Sequence, residues 1–265
     1  MQNQPILTYS HVDISYSGHL AVRDINFTVN QGEILGVVGE SGSGKSTIIK
    51  AAIGLLGPGG LVTRGDIWYG TENPVDLPDL PQKEMRKLCG PELGMIFQNA
   101  GASFCPIRKI GDQIYESMNE HEKISREEMT ERTKDVFHRI GLQDAERVLD
   151  SYPFELSGGM NQRVGIAMGV LMEPKVLFAD EPTSALDAAV QKQVVLELLK
   201  VRETFGTTIV VITHNIGLVR AMADKVLVMK KGEMIEYGET GKVLSHPEKP
   251  YTKTLLSAVP VLKRA

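Results

Sequence analysis

The chain has 265 residues, 42% hydrophobic and 23% charged, with a formal net charge of 29 − 33 = −4. Such a composition fits a globular protein, and the acidic balance argues against a nucleic-acid binder, which carries a basic stripe. No apolar run approaches the roughly 20 residues needed to span a bilayer, and Met1-Gln2-Asn3-Gln4-Pro5 lacks the basic-then-apolar pattern of a secretory signal. A cytosolic chain is therefore expected, with any membrane contact made through a partner.

Residues 6–29 alternate apolar and polar and are rich in Val, Ile, Thr and Tyr, which predicts antiparallel strands. Residues 34–38 form a short continuous apolar run, as in a buried strand of a parallel sheet. A glycine-rich loop follows, then a predicted helix over 46–56, closed by Gly57-Pro58-Gly59-Gly60. Further buried strands are predicted at 93–97, 176–179, 208–212 and 225–229. A helix is predicted over 188–205, with Val190, Val194, Val195, Leu198 and Val201 on its apolar face. Residues 99–162 are different: charged and helical, without a strand run, and with a capping box at Ser125 and Glu128. After Gly241 comes a tail with Pro247, Pro250 and Pro260. Alternating strands and helices predict an α/β fold with a mostly parallel sheet covered on both faces. The expected division is a core of residues 1–98 and 163–240, a helical insertion at 99–162, and a tail at 241–265. Cys89 and Cys105 form no CxxC and have no matched His pair, so free thiols are expected.

Gly39-Glu40-Ser41-Gly42-Ser43-Gly44-Lys45-Ser46-Thr47 fits GxxxxGK[ST] between a buried strand and a helix. The glycines let successive backbone N–H groups point at phosphate oxygens, and the helix N-terminus favours an anion. Lys45 would reach the β- and γ-phosphates, and the Ser46 hydroxyl would ligate Mg²⁺. The apolar run 176–179 delivers Asp180 to the carboxyl end of a strand, where ligands of doubly wound sheets bind. Asp180 would hold Mg²⁺ through water, and Glu181 would polarise the attacking water. Taken alone, two carboxylates at a strand end are also an ordinary solvated terminus.

Leu156-Ser157-Gly158-Gly159-Met160-Asn161-Gln162-Arg163 resembles the signature of the ABC transporter ATPases, and the motif order of that family runs through nearly the whole chain. The resemblance implies a P-loop NTPase (RecA-like) core with an N-terminal antiparallel β-subdomain and an inserted helical, ABC-specific subdomain. Its cofactors would be ATP and Mg²⁺. It assigns Gln98 to a catalytic and Mg²⁺-contacting position, Asp187 to the loop after Glu181, His214 to the switch histidine, and Tyr16 to adenine stacking. Without that resemblance Ser157-Gly158-Gly159 reads equally as a plain helix cap, and Tyr16 as a packing residue. In the family two ATPase chains pair head to tail, so that Ser157, Gly158 and Gly159 of one cover the phosphate held by Lys45 of the other.

Met160 stands where Gln is usual. LSGGM, Tyr152-Pro153-Phe154-Glu155 and the 246–260 segment are similar to the peptide/nickel branch of importer ATPases, and 54–65 to its D-type subunit. The resemblance implies a heterodimer with a second ATPase. This pair would lie beneath two transmembrane permeases fed by an extracellular solute-binding protein, at the cytoplasmic face of the membrane, with a permease helix received near 98–105. Peptides are the expected cargo, and nickel or a metal chelate the alternative; the chain's brevity is closer to the metal members. Asn215 stands where Asp is common.

Overall fold

The computed structural model describes residues 4–184 and 186–258. In chain order the elements are β1 (Pro5–Tyr16), β2 (His19–Asn30), β3 (Ile34–Val38), α1 (Lys45–Ala52), β4 (Gly60–Tyr69), β5 (Val75–Asp76), α2 (Gln82–Leu88), β6 (Leu93–Ile96) and α3 (Ala100–Ser103). There follow α4 (Ile110–His121), α5 (Arg126–Ile140), α6 (Ala145–Asp150), α7 (Gly158–Val170), β7 (Val176–Asp180), α8 (Ala188–Phe205) and β8 (Thr208–Ile212). The chain closes with α9 (Ile216–Met222), β9 (Lys225–Lys230), β10 (Glu233–Glu239), α10 (Thr240–Ser245) and α11 (Pro250–Ser257). Two compact units result, one holding the described residues up to Gln82 and from Val210 on, the other Lys83–Ile209.

In the first unit the strands follow the order β5-β4-β1-β2-β10-β9-β3. The expected antiparallel pair is present, with Leu7 opposite Val29 and Tyr9 opposite Phe27. Every residue of β3 is buried, and β3 pairs in parallel with β9 from Leu35↔Lys225 to Val38↔Val228. That two-sided burial is why 34–38 reads as an unbroken apolar run. The Tyr9 ring stacks on Phe27, with centroids 4.4 Å apart, and its hydroxyl donates to the Ile48 carbonyl at 2.7 Å. This bond fixes α1, and hence the loop before it, against β1.

One helix boundary needed correction, and two strands, β4 and β10, were not foreseen. The helix predicted over 46–56 ends at Ala52, because Gly54 turns left-handed at φ 68° and the Leu55 N–H closes on the Lys50 carbonyl at 2.8 Å. The glycines at 57–60 do more than end that helix, since they lead into β4, an antiparallel partner of β1. The sheet of this unit is also mixed, because β10 joins β9 antiparallel and meets β2 in parallel at Glu233↔Arg23. The polar sequence of β10 hid it.

In the second unit β6 and β7 pair in parallel from Leu93↔Val176 to Ile96↔Ala179, and all of β7 is buried. The Thr208 N–H at the start of β8 donates to the Lys175 carbonyl at 2.9 Å. Among the described residues, 99–162 carry helices and a short 3-10 turn at Pro153–Glu155. Ser125 caps α5, its Oγ accepting from the Glu128 N–H at 3.1 Å, and Gly141 ends that helix at φ 83°.

Three helices of this unit, α5, α7 and α8, meet at one buried ion pair. Arg163 on α7 donates through Nε to Glu197 Oε1 on α8 and through a guanidinium N–H to the Gly141 carbonyl at 2.9 Å. Gln193 adds a bond to the same Glu197 oxygen at 3.2 Å. Glu197 is 0% exposed, and its Oε2 has no hydrogen-bond partner among the described residues. Burial pushes its carboxyl up from the usual range against the pull of Arg163. Arg163→Met should strand this buried charge and cost about 3–5 kcal/mol, read as a lower urea midpoint, whereas Arg163→Met/Glu197→Leu should recover most of the loss. A single variant as stable as the parent would show that the pair holds nothing together.

Candidate functional site

The first unit carries the glycine loop. Lys45 opens α1 and is only 6% exposed. Its ammonium donates to the Gly39 carbonyl at 2.9 Å, to the Glu40 carbonyl at 2.7 Å and to Ser43 Oγ at 3.4 Å. The loop thus folds back around its own lysine. Glycine is required at two points. Gly39 lies at φ 150°, and a Cβ there would stand 2.1 Å from the Met229 carbonyl oxygen; Gly44 lies at φ 95°, against Val22. The Gly232 N–H completes the bracing with a 3.1 Å bond to the Ser43 carbonyl. Met229 lies near the end of β9 and Gly232 in the β9–β10 turn, where Lys231 and Gly232 both have positive φ, as a tight hairpin requires. The Lys231-Gly232 dipeptide was the available signal for that turn; its contact with the loop had none.

Ser46 and Thr47 follow on the first turn of α1, while Glu40, Ser41 and Gly42 are exposed at the loop's crest. Tyr16 ends β1, half-buried, opposite His19 and Gly60, and packs so tightly on Gly60 that a Cβ there would lie 2.7 Å from its ring. His214 is exposed just past β8, and the preceding Thr213 N–H donates to the Val37 carbonyl at 3.1 Å. Asn215 caps α9, its Oδ1 accepting from the Gly217 N–H at 2.9 Å. Asn and Asp serve that cap equally well, which removes the force of this departure from the family pattern.

The second unit carries the carboxylates and the signature. Asp180 ends β7 and is 7% exposed. Glu181 follows with φ 46°, and its carbonyl accepts from the Ser184 N–H at 3.0 Å. A non-glycine residue held left-handed at a strand end is the kind of strain that collects at functional sites. Ser184 Oγ donates to the Gln98 carbonyl at 3.2 Å, so the segment after Glu181 and the exposed Gln98 touch. Asp187 caps α8, accepting from the Ala189 and Val190 N–H groups at 2.9 and 3.0 Å.

Ser157 caps α7 as expected, its Oγ accepting from the Met160 N–H at 3.2 Å. A Cβ on Gly159 would meet Val190 at 3.1 Å, and the Ala100 N–H donates to Gln162 Oε1 at 3.3 Å. Gln98, the signature helix and the Asp187 cap are therefore neighbours within one unit. The Ala100–Gln162 link and the Asp187 cap had no reading in the sequence.

A buried parallel strand, a glycine loop wrapped on its lysine, and a helix that opens on that lysine define a P-loop nucleoside triphosphatase. The ABC transporter family model matches residues 22–184. The oligopeptide transport ATP-binding protein OppD of Bacillus subtilis is 42% identical over 252 residues, 94% of this chain and 69% of that one. The metal-staphylopine import system ATP-binding protein CntD of Staphylococcus aureus (strain Mu50) is 38% identical over 254 residues, 95% and 92% respectively. Among solved structures, a dimeric post-hydrolysis state of the ATP-binding cassette MJ0796 with ADP and Pi has a TM-score of 0.76 at 26% identity, covering 89% of this chain and 99% of that one. The chain belongs to the ABC transporter family of ATP-binding proteins. Its class of activity is ATP hydrolysis coupled to transport.

Proposed function

We propose that this chain is the ATP-hydrolysing subunit of an importer for di- and oligopeptides, acting as one half of a nucleotide-clamping dimer with a second ATPase. The observation that carries this is the Lys45 cradle. A buried ammonium held within the loop by two carbonyls would take a phosphate oxygen as its further partner. In this reading Gly39, Gly42, Ser43 and Gly44 present backbone N–H groups to the phosphates, and Tyr16 stacks on adenine. Ser157, Gly158 and Gly159 cap the terminal phosphate on the partner chain. Glu181 orients the attacking water, with His214 and Gln98 beside the terminal phosphate and Asp187 shaping the loop between.

Ser46, Gln98 and Asp180 offer hydroxyl, amide and carboxylate oxygens, a donor set suited to Mg²⁺, and are the residues that would hold it. The bound ion would supply charge neutralisation on the β- and γ-phosphates. No described helix is long and apolar enough to cross a membrane, so attachment to the cytoplasmic face would pass through two permeases that an extracellular solute-binding protein supplies.

Peptide cargo is supported by the OppD relative. Metal-chelate cargo is the alternative, supported by CntD, of which the comparison spans 92%. Purified chain should hydrolyse ATP with a specific activity that rises with protein concentration, as a dimer requires. Absence of ATP turnover, with or without a co-expressed second ATPase, would overturn the proposal. Import of labelled peptide, lost on deleting the gene and restored by it, separates the two cargoes from each other.

A further inference from the structure

The nucleotide site leaves a buried polar group of the first unit without a task. Tyr251, on α11, lies outside the 22–184 stretch that the family model matches. Its ring packs on the core cluster around Val38, Val226 and Val228, and the Lys230 ammonium sits 4.3 Å from the ring centroid. Val38 is the last residue before the phosphate loop. The start of α11 is anchored by Glu236, whose two carboxylate oxygens accept the Glu248 N–H at 2.9 Å and the Lys249 N–H at 3.3 Å. Burial pushes the Glu236 carboxyl up, but hydrogen bonds outweigh it and hold the group below the ordinary range. The tail is thus fastened independently of Tyr251.

The Tyr251 hydroxyl is buried, with no partner at hydrogen-bonding geometry among the described residues. Leaving such a group unpaired costs stability, so its presence asks for a reason. Tyr251 and Glu40 line one cleft, together with Lys230, Lys249 and Thr254. Burial raises the Tyr251 phenol above its usual value, while the Glu40 backbone pulls it down and the Glu40 carboxylate pushes it up. The hydroxyl and Glu40 thus share one cleft. Glu40 in turn gives its carbonyl to Lys45 Nζ at 2.7 Å. On either side of Glu40 the loop is clamped, at Gly39 against Met229 and at Ser43 by Gly232. Glu40 itself is at the exposed crest between those clamps.

We propose that Tyr251 is a positioning residue for the phosphate loop. Its hydroxyl closes on Glu40 when nucleotide is bound and, through the Glu40 carbonyl, sets where Lys45 Nζ meets the phosphates. This rests on the reading that the loop binds ATP. The tail helix is then part of the nucleotide site, although it touches no nucleotide.

Tyr251→Phe deletes the hydroxyl and keeps the ring under Lys230. In the full chain, ATP affinity (measured with a fluorescent ATP analogue) and KM should weaken about three- to tenfold, while kcat stays within about twofold. Amide exchange at Glu40 and Ser41 should quicken in the ATP-loaded protein. Tm should be unchanged or higher, because an unpaired buried hydroxyl has been removed. Parental affinity together with parental exchange at Glu40 overturns the proposal. A fall in Tm alongside weaker binding also overturns it, in favour of a general loosening of α11. If the parent itself binds no ATP, the nucleotide reading fails, and that result is seen before any variant is made.

Discussion

Glu181→Gln is expected to keep ATP binding and to lose turnover by ~10²–10⁴-fold, the range in which a positioned proton acceptor contributes. Asp180 is the last residue of β7, and Glu181 is the first beyond it, with φ 46° and its carbonyl tied to the Ser184 N–H at 3.0 Å. Glu181 thus stands in left-handed backbone, which costs a non-glycine residue strain, and the Ser184 bond holds it there. Gln has the same length and fits the same turn, so the fold should not change. What it lacks is the negative charge that, in the proposed reading, orients and polarises water. ATP should then persist on the protein. If a partner signature completes the site, the dimer should also persist, and size-exclusion chromatography in ATP should show it. Steady-state hydrolysis at the parental rate would assign the water-orienting role elsewhere, with His214 the next group to test.

How much of this could be read from the residues alone depended on where the determining contacts lie. The phosphate loop was legible because its chemistry is local: the glycines, Lys45 and Ser46 are consecutive, and the flanking apolar run fixes strand before and helix after. Buried strands such as 34–38 and 208–212 were legible because two-sided burial writes an uninterrupted apolar run. The Ser157 and Ser125 caps were legible because a cap is satisfied within three residues. β10 was not, because its seven residues are at most half-buried and carry charge at Glu233, Glu236 and Glu239. It is a strand because β9 and β2 offer it partners, which is information held elsewhere in the chain. The same holds for the site. The Gly39–Met229 approach and the Gly232–Ser43 bond each span about 190 residues of sequence, and no periodicity reports them. The consecutive residues of the loop were legible, and the distant contacts that hold them still were not.

Lys45→Ala tests the group those braces serve. The ammonium has two roles. In the proposed reading it neutralises phosphate charge, and it satisfies the Gly39 and Glu40 carbonyls at 2.9 and 2.7 Å. Removing it leaves both carbonyls without that donor and takes the fixed charge from a site where little solvent screens it. Losing one partner of a buried charged pair costs about 2–5 kcal/mol, or roughly 30- to several-thousand-fold in Kd. Calorimetry should show ATP affinity falling by at least the lower figure. AMP, which lacks the β- and γ-phosphates, should lose far less. That difference separates loss of the phosphate contact from collapse of the loop, which would weaken both nucleotides alike. Lys45→Arg should not restore binding, because a planar five-donor fork cannot occupy a cradle built for one ammonium between two carbonyls. Full ATP affinity in Lys45→Ala would mean that the phosphates are held by some other part of the chain, and the functional reading would have to be rebuilt from the second unit.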